Sequence, residues 1–407
     1  MKRLWYSPTL RSAFVLGVSG IGFAAANLIL ARVLSAAEYA LFTLVVALVN
    51  LGGAIAPAGV DEIVKRHRLE IGSRLLWQVI GVATGTGLIF AGIAAVGYEL
   101  TWPLVLLVLI STLAYGVMLV AGAQFQSELR FGISLSLLQS PNAVLLIAAA
   151  VVLLVREYDA WLPLLIATVG YVAAAAYGWG KLFAEQGRRS HERSGFSWPE
   201  ALSFAGVNAA GLLLIQLERL VIPHVLPLQD LATYGVLAAI VGSLFRVFQM
   251  GVGYSLTPRL RAASTIQARR QLLAHEAKLA GGIVLMGSAF LWVVTPLVER
   301  YLLAGKYHLS ASLIIATIVS GLAKLMSAFT KSSVTALADP REVHILTLLS
   351  WASVGVAILA ALAGGRWLGL AGVIYGVGLG WAIRAGAAYY LTMRHLRPPA
   401  PVPVPAP

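Results

Sequence analysis

Cysteine is absent from all 407 residues. Disulfides, thiol nucleophiles and thiolate metal sites are therefore excluded. Charge is scarce too: Asp, Glu, Lys and Arg make up 12% of the chain, about half of what soluble domains carry. Polar stretches are short, and the longest gap between hydrophobic runs, 254–277, has 24 residues. No large soluble domain fits. The seven histidines (His67, His191, His224, His275, His308, His344 and His395) are isolated from one another and form no metal-ligand spacing. No glycine loop precedes a soluble helix, and residue order argues for no Ser-His-Asp arrangement. The expectation is a chain without cofactor or metal that is not an enzyme. A cleaved signal peptide is not expected either, because the first apolar run is long and leads straight into a second.

What fills the chain instead is hydrocarbon: 59% of residues are hydrophobic and mean hydropathy is +0.83. A membrane-spanning helix needs roughly 20 apolar residues. Twelve runs qualify, at 11–33, 39–60, 74–97, 102–122, 133–155, 161–184, 200–223, 231–253, 278–298, 309–331, 343–363 and 368–392. The expected fold class is an all-α integral membrane protein of twelve transmembrane helices. The net charge of +13 does not require nucleic acid. With the N-terminus inside, 21 of the 30 Lys and Arg fall in inner segments, five in outer segments and four within spans. That bias follows the positive-inside rule and puts both termini in the cytoplasm.

The runs divide into halves. NLILARVL (27–34) aligns with RLVIPHVL (219–226), and EYALFTLVVAL (38–48) resembles TYGVLAAIVGS (233–243). A basic loop follows the second helix of each half. The reading is an N-terminal six-helix lobe (1–184), a polar cytoplasmic linker (185–199), a C-terminal six-helix lobe (200–392) and a proline-rich disordered tail (393–407). Six plus six makes the repeats parallel, related by an axis along the membrane normal, with a central cavity between the lobes.

Four cations lie inside hydrophobic segments: Arg219, Arg246, Lys324 and Arg384. A cation in lipid is costly, so it faces a partner, a cavity or an anion, or snorkels to the interface. Both readings are open for Arg219, whose face is shared by Asn208 three turns earlier and flanked by Gln216. Arg246, with Gln249 on its face, points to the cavity. Ser320, Lys324, Ser327 and Lys331 form one polar stripe along the tenth helix, read as a cavity lining or as a seam between helices. Arg384, eight residues from its inner end, reads as snorkelling and is kept as the fourth cavity candidate. Asn27, Asn50 and Tyr234 complete the polar candidates. Glu218 is the one clear intramembrane acid, and Asp61 lies at the inner end of the second helix; these are the coupling candidates. So few carboxylates argue against cationic substrates. Arg219, Arg246 and Lys324 are expected to share one cavity. Breaks at Gly52, Gly53, Pro57 and Gly59, at Pro141–Asn142 and at Pro223 mark moving parts or static kinks.

ARVLSAAEYALFTLVVALV (31–49), QLERLVIPHVLPLQDLATYGVL (216–237) and LLAGKYHLSASLIIATIVSGLAK (302–324), in this order, resemble the polysaccharide and O-antigen flippase family. That family belongs to the superfamily that also contains multidrug and toxin extrusion transporters and lipid II flippases. The resemblance covers nearly the whole chain. It implies two lobes in a V, alternating access, and movement of a polyprenyl-diphosphate-linked oligosaccharide from the inner to the outer leaflet of a bacterial cytoplasmic membrane. Expected partners are that lipid-linked glycan, membrane lipids and other glycan-assembly membrane proteins, with no nucleic acid. Many relatives carry Asp before the basic residue late in helix seven, where this chain has Glu218–Arg219. The alternatives are a cation-coupled multidrug exporter of the same fold and, third, a membrane-embedded glycan polymerase or ligase, which the short outer loops disfavour.

Overall fold

The computed structural model describes residues 8–69, 71–156, 158–186, 196–243, 245, 249, 256, 259–260, 263, 265–337 and 340–396. Arg246, most of the expected linker and nearly all of the proline-rich tail lie outside the described residues. Everything regular among the described residues is helical. The helices are α1 (Pro8–Val33), α2 (Ala36–Ile55), α3 (Val60–His67), α4 (Ser73–Gly92), α5 (Trp102–Ser127), α6 (Phe131–Val155) and α7 (Trp161–Gln186), then α8 (Trp198–Val225), α9 (Leu228–Leu237), α10 (Ile266–Leu297), α11 (Ala311–Leu337) and α12 (Pro340–Leu396). Three of them run on into a π-helical turn: α4 into Ile93–Gly97, α9 into Ala238–Gly242 and α10 into Val298–Leu302. Among the described residues, eight helices are long and apolar enough to cross a membrane. The runs expected at 343–363 and 368–392 fall on the two arms of α12, which folds back at Gly369 (φ 59°, ψ −144°). There, Gly364 and Gly372 let the two backbones touch, since a Cβ on Gly372 would lie 2.0 Å from the Gly364 carbonyl oxygen. Small residues at such contacts are how helices pack where lipid supplies no hydrophobic drive.

The outer surface carries the large apolar side chains. Val96, Leu154 and Trp367 are more than 80% exposed, which only a hydrocarbon surround makes favourable. Inside, α2 is central and packs on α5, α8 and α9. The largest buried cluster joins both halves of the chain through Leu30, Tyr39 and Phe42 on one side and Leu217, Ile222, Val236 and Tyr307 on the other. That cluster sits toward the end holding residues 33–38, 225–230 and 302–310. A second cluster, around Val60, Met118, Phe125 and Trp179, fills the first half near the opposite, basic end.

Helix starts are set locally. Ser35 caps α2 by accepting the Glu38 amide at 3.1 Å, as an N-cap should. Glu38 does not reach back to complete a capping box. Its carboxylate accepts the Ala160 amide at 2.7 Å, so it satisfies an orphan donor at the start of α7. Between α2 and α3 the chain turns through Ala58 and Gly59, both at positive φ. Gly59 is also a close approach: a Cβ there would sit 1.9 Å from the Ala201 carbonyl oxygen of α8. Gly59→Ala is expected to destabilise by about 2 kcal/mol or more, from the left-handed backbone and the clash together. A drop in the melting temperature of detergent-purified protein checks this; an unchanged value would mean α3 is not held against α8.

Candidate functional site

Where the halves part, toward the basic end, lies a cavity of about 420 Å3. The end of α2 and the turn into α3 supply Ile55, Gly59, Asp61 and Glu62, α8 supplies Asn208, α11 supplies Ser327 and Lys331, and α12 supplies Trp381 and Arg384. Asp61, Asn208, Ser327 and Arg384 were expected site residues, and the fold brings these four together. Lys331 joins them from the foot of the polar stripe. Glu62 had no signal beyond its place beside Asp61; only the turn at Ala58–Gly59 aims both carboxylates at the cavity.

Arg384 does not snorkel. It is 3% exposed, its guanidinium lies 5.6 Å from the centre of the Trp381 ring, and it presses against Gly211 of α8. No carboxylate pairs with it among the described residues, and its Nε has no hydrogen-bond partner there. Lys331 feels the like charge of Arg384 and the carboxylate of Glu62. The first half thus brings carboxylates to the cavity and the second half cations. Near the mouth, Lys65 bridges Asp61 at 3.5 Å and Glu62 at 2.7 Å. Burial holds the Asp61 carboxyl above its ordinary range, with Lys65 pulling the other way. Arg66 and His67 of α3 reach Glu200 at the start of α8.

Of the expected trio, Arg219 and Lys324 do not line this cavity, and Arg246 lies outside the described residues. Lys324 donates to Glu218 at 2.6 Å, and Glu218 is fully buried. Arg219 donates to Gln216 at 2.7 Å and lies over the Tyr234 ring. The reason is cost: an unpaired charge between helices is worse than a paired one, and α8 and α11 meet at the height of Glu218 and Lys324. Ser320 is buried against Gly378 of α12. The polar stripe therefore splits, with its upper half a helix seam and its lower half cavity wall. Asn27 donates to the Phe23 carbonyl of its own helix at 2.8 Å. Asn50 faces a separate cavity inside the first half, and Gln249 is half-buried.

The far end is shut by two counterpart contacts. Tyr98, just after the π-helical turn closing α4, donates to the Leu220 carbonyl of α8 at 2.8 Å and stacks on His224. Tyr307, shortly after the π-helical turn closing α10, donates to the Ala31 carbonyl of α1 at 3.1 Å. Lys306 donates to Ala31 and Leu34 carbonyls as well. Each half thus donates to carbonyls near the end of the other half's first helix, and Ala31 is one that a helix end leaves unsatisfied. Burial lowers the Lys306 ammonium below its usual range. Tyr98→Phe is expected to favour the opened form by about fivefold, the worth of one hydrogen bond of about 1 kcal/mol. Distances between spin labels at Arg32→Cys and His224→Cys read this, and an unchanged distribution would remove Tyr98 from the closure.

No protein-family model matches the sequence, and no curated protein is similar to it at a significant level. Solved structures are similar in fold. A MATE family multidrug resistance transporter of the MOP superfamily, inward-facing, gives a TM-score of 0.64 at 14% identity over 94% of each chain. The lipid II flippase MurJ in an inward closed conformation gives 0.67 at 12% identity, covering 94% of this chain and 87% of that one. An outward-facing MATE transporter gives 0.52 at 12% identity over 97% of each. The chain is an all-helical, multi-pass membrane protein with the fold found in the MATE transporters and in MurJ.

Proposed function

We propose that this chain is a flippase for a polyprenyl-diphosphate-linked oligosaccharide. It works by alternating access between two parallel six-helix lobes, 1–184 and 200–392, in a bacterial cytoplasmic membrane with both termini inside. The observation that carries this is Arg384: a buried guanidinium without a carboxylate partner among the described residues, facing a cavity between the halves. A planar fork of donors matches phosphate oxygens, and Lys331 adds a second positive charge beside it. The polar wall of Asn208 and Ser327 can bond hydroxyls. The closure at the far end and the cavity toward the basic end suit a state open to the cytoplasmic leaflet. That Lys and Arg cluster at this end supports the orientation. The fold's appearance in inward- and outward-facing transporters and in a lipid II flippase supports alternating access and a lipid-linked substrate.

The test is translocation of a fluorescent polyprenyl-diphosphate oligosaccharide in proteoliposomes. Transport by wild-type protein is the expected result. Its absence with several glycans, from well-folded protein, sinks the reading.

A second reading, a cation-coupled multidrug exporter, draws on Asp61 and Glu62 in the same cavity. The two readings differ in pH response. Because burial raises Asp61, it takes up a proton while ordinary carboxylates are still ionised. As pH falls, the cavity loses a negative charge and an anion binds more tightly, whereas a cation binds more weakly. Pyrophosphate affinity measured against pH is therefore expected to rise more steeply on acidification in wild type than in Asp61→Asn. Equal slopes would show that Asp61 does not act on the ligand.

A further inference from the structure

Inside the first half, apart from the cavity between the halves, lies a second cavity of about 240 Å3. Its walls come from α1, α2, α5, α6 and α7, with Ser243 reaching in from the other half. Among the described residues, none lining it is Asp, Glu, Lys or Arg. It nonetheless carries three amide side chains, those of Asn50, Gln139 and Asn142, deep in a chain where polar groups are expensive. From this cavity we infer a second binding site, which takes a neutral sugar ring.

The polar groups here are held ready. Ser19, Gln139 and Asn142 form a network: Ser19 donates to Gln139 Oε1 at 2.7 Å, and Asn142 Nδ2 donates to Ser19 Oγ at 2.8 Å and to Gln139 Oε1 at 3.1 Å. That network leaves the Gln139 amide nitrogen and the Asn142 carbonyl oxygen unused, one donor and one acceptor. Ser111 and Thr168 satisfy each other at 2.7 Å and stay as wall. Asn50, on α2, makes no hydrogen bond among the described residues and is only half-buried. The Ser243 Oγ is buried and unpartnered there. Tyr115 and Tyr171 stand with ring centres 5.2 Å apart.

The chemistry of a ligand follows by exclusion. A cation would need a carboxylate and an anion would need Lys or Arg; among the described residues the walls hold neither. A hydrocarbon would leave the amides unpaired at a cost. Hydroxyl groups donate and accept at once, which suits mixed amide donors and acceptors, and aromatic faces suit the C–H face of a sugar. The volume is below the range of about 300–1,000 Å3 used by drug-sized ligands, which fits one ring. Tyr115 lines both cavities, so a diphosphate at Arg384 and a sugar in this site would be neighbours. The assignment of the sugar to the transported glycan rests on the flippase reading; the site's preference for a neutral sugar does not.

The chain has no cysteine, so single cysteines can report each cavity without background. Val46→Cys and Asn50→Cys report the sugar site, and Asn208→Cys reports the cavity between the halves. A neutral maleimide labels each in purified full-length protein, with maltose, cellobiose, diacetylchitobiose or inorganic pyrophosphate added. The expected result is that at least one disaccharide, at ten times its Kd, slows labelling of Val46→Cys and Asn50→Cys by about tenfold while Asn208→Cys is unaffected. Gln139→Leu or Asn142→Leu, added to Val46→Cys, should remove that protection. Failure of all three disaccharides to protect either position, a reagent that never reaches them, or equal protection of Asn208→Cys overturns the proposal. Sugar protection without any pyrophosphate protection of Asn208→Cys would instead sink the flippase reading and leave the sugar site standing.

Discussion

Glu218→Gln is expected to destabilise the folded chain by about 3–5 kcal/mol, and Lys324→Met by a similar amount. Each change strands a charge between α8 and α11, an ammonium only a fifth exposed in the first case and a buried carboxylate in the second. Glu218 is fully buried, and its second oxygen already lacks a hydrogen-bond partner among the described residues, so the ammonium 2.6 Å away is its main compensation. The double variant Glu218→Gln, Lys324→Met should recover most of the loss, since replacing both partners removes the desolvation cost along with the attraction. Thermal unfolding of the four proteins in detergent forms a double-mutant cycle. Additive losses would mean that the two groups do not act as a pair. The same cycle read by transport separates roles: a double variant that is stable and still transports makes the pair a structural lock, and a stable but inactive one gives it a part in the conformational cycle.

Arg384→Ala is expected to lower transport of a diphosphate-linked substrate by about a hundredfold, the loss of a two-pronged charge-assisted contact worth about 3 kcal/mol. The fold should tolerate the change, because the guanidinium has no carboxylate partner to strand. Arg384→Lys should restore part of the activity, as a point charge without the planar fork. Lys331→Gln should cost less, about tenfold, since it loses one charge contact. Initial rates in proteoliposomes at matched protein density measure all three. Wild-type rates in Arg384→Ala would remove the cation from the substrate path.

The course of the chain was legible. Apolar runs of about 20 residues are written directly in composition, and all twelve expected runs overlap helices of the structure. The chemistry at the interior was legible only in part. Arg384 and Ser327 were recognisable as polar exceptions in apolar helices, yet which exceptions face each other depends on helix rotation. Glu218 and Arg219 are adjacent in sequence, so their side chains leave α8 about 100° apart; one meets Lys324 and the other Gln216 and Tyr234. Asn50 looked like a contact for the central cavity and belongs to another one, because α2 sits at the junction of both. Lys331 was announced by the polar stripe of the tenth helix, whereas Glu62 enters the site through a left-handed turn that no local pattern announces.

The closure at the far end has donors that are side chains and acceptors that are main-chain carbonyls. Only the donor side is open to heredity: a codon change can delete the hydroxyl of Tyr98 or Tyr307 or the ammonium of Lys306, but none can delete the carbonyls of Leu220, Ala31 or Leu34. Drift in α1, and in α8 outside His224, therefore leaves these hydrogen bonds in place, so natural tuning of their strength should be concentrated at three positions.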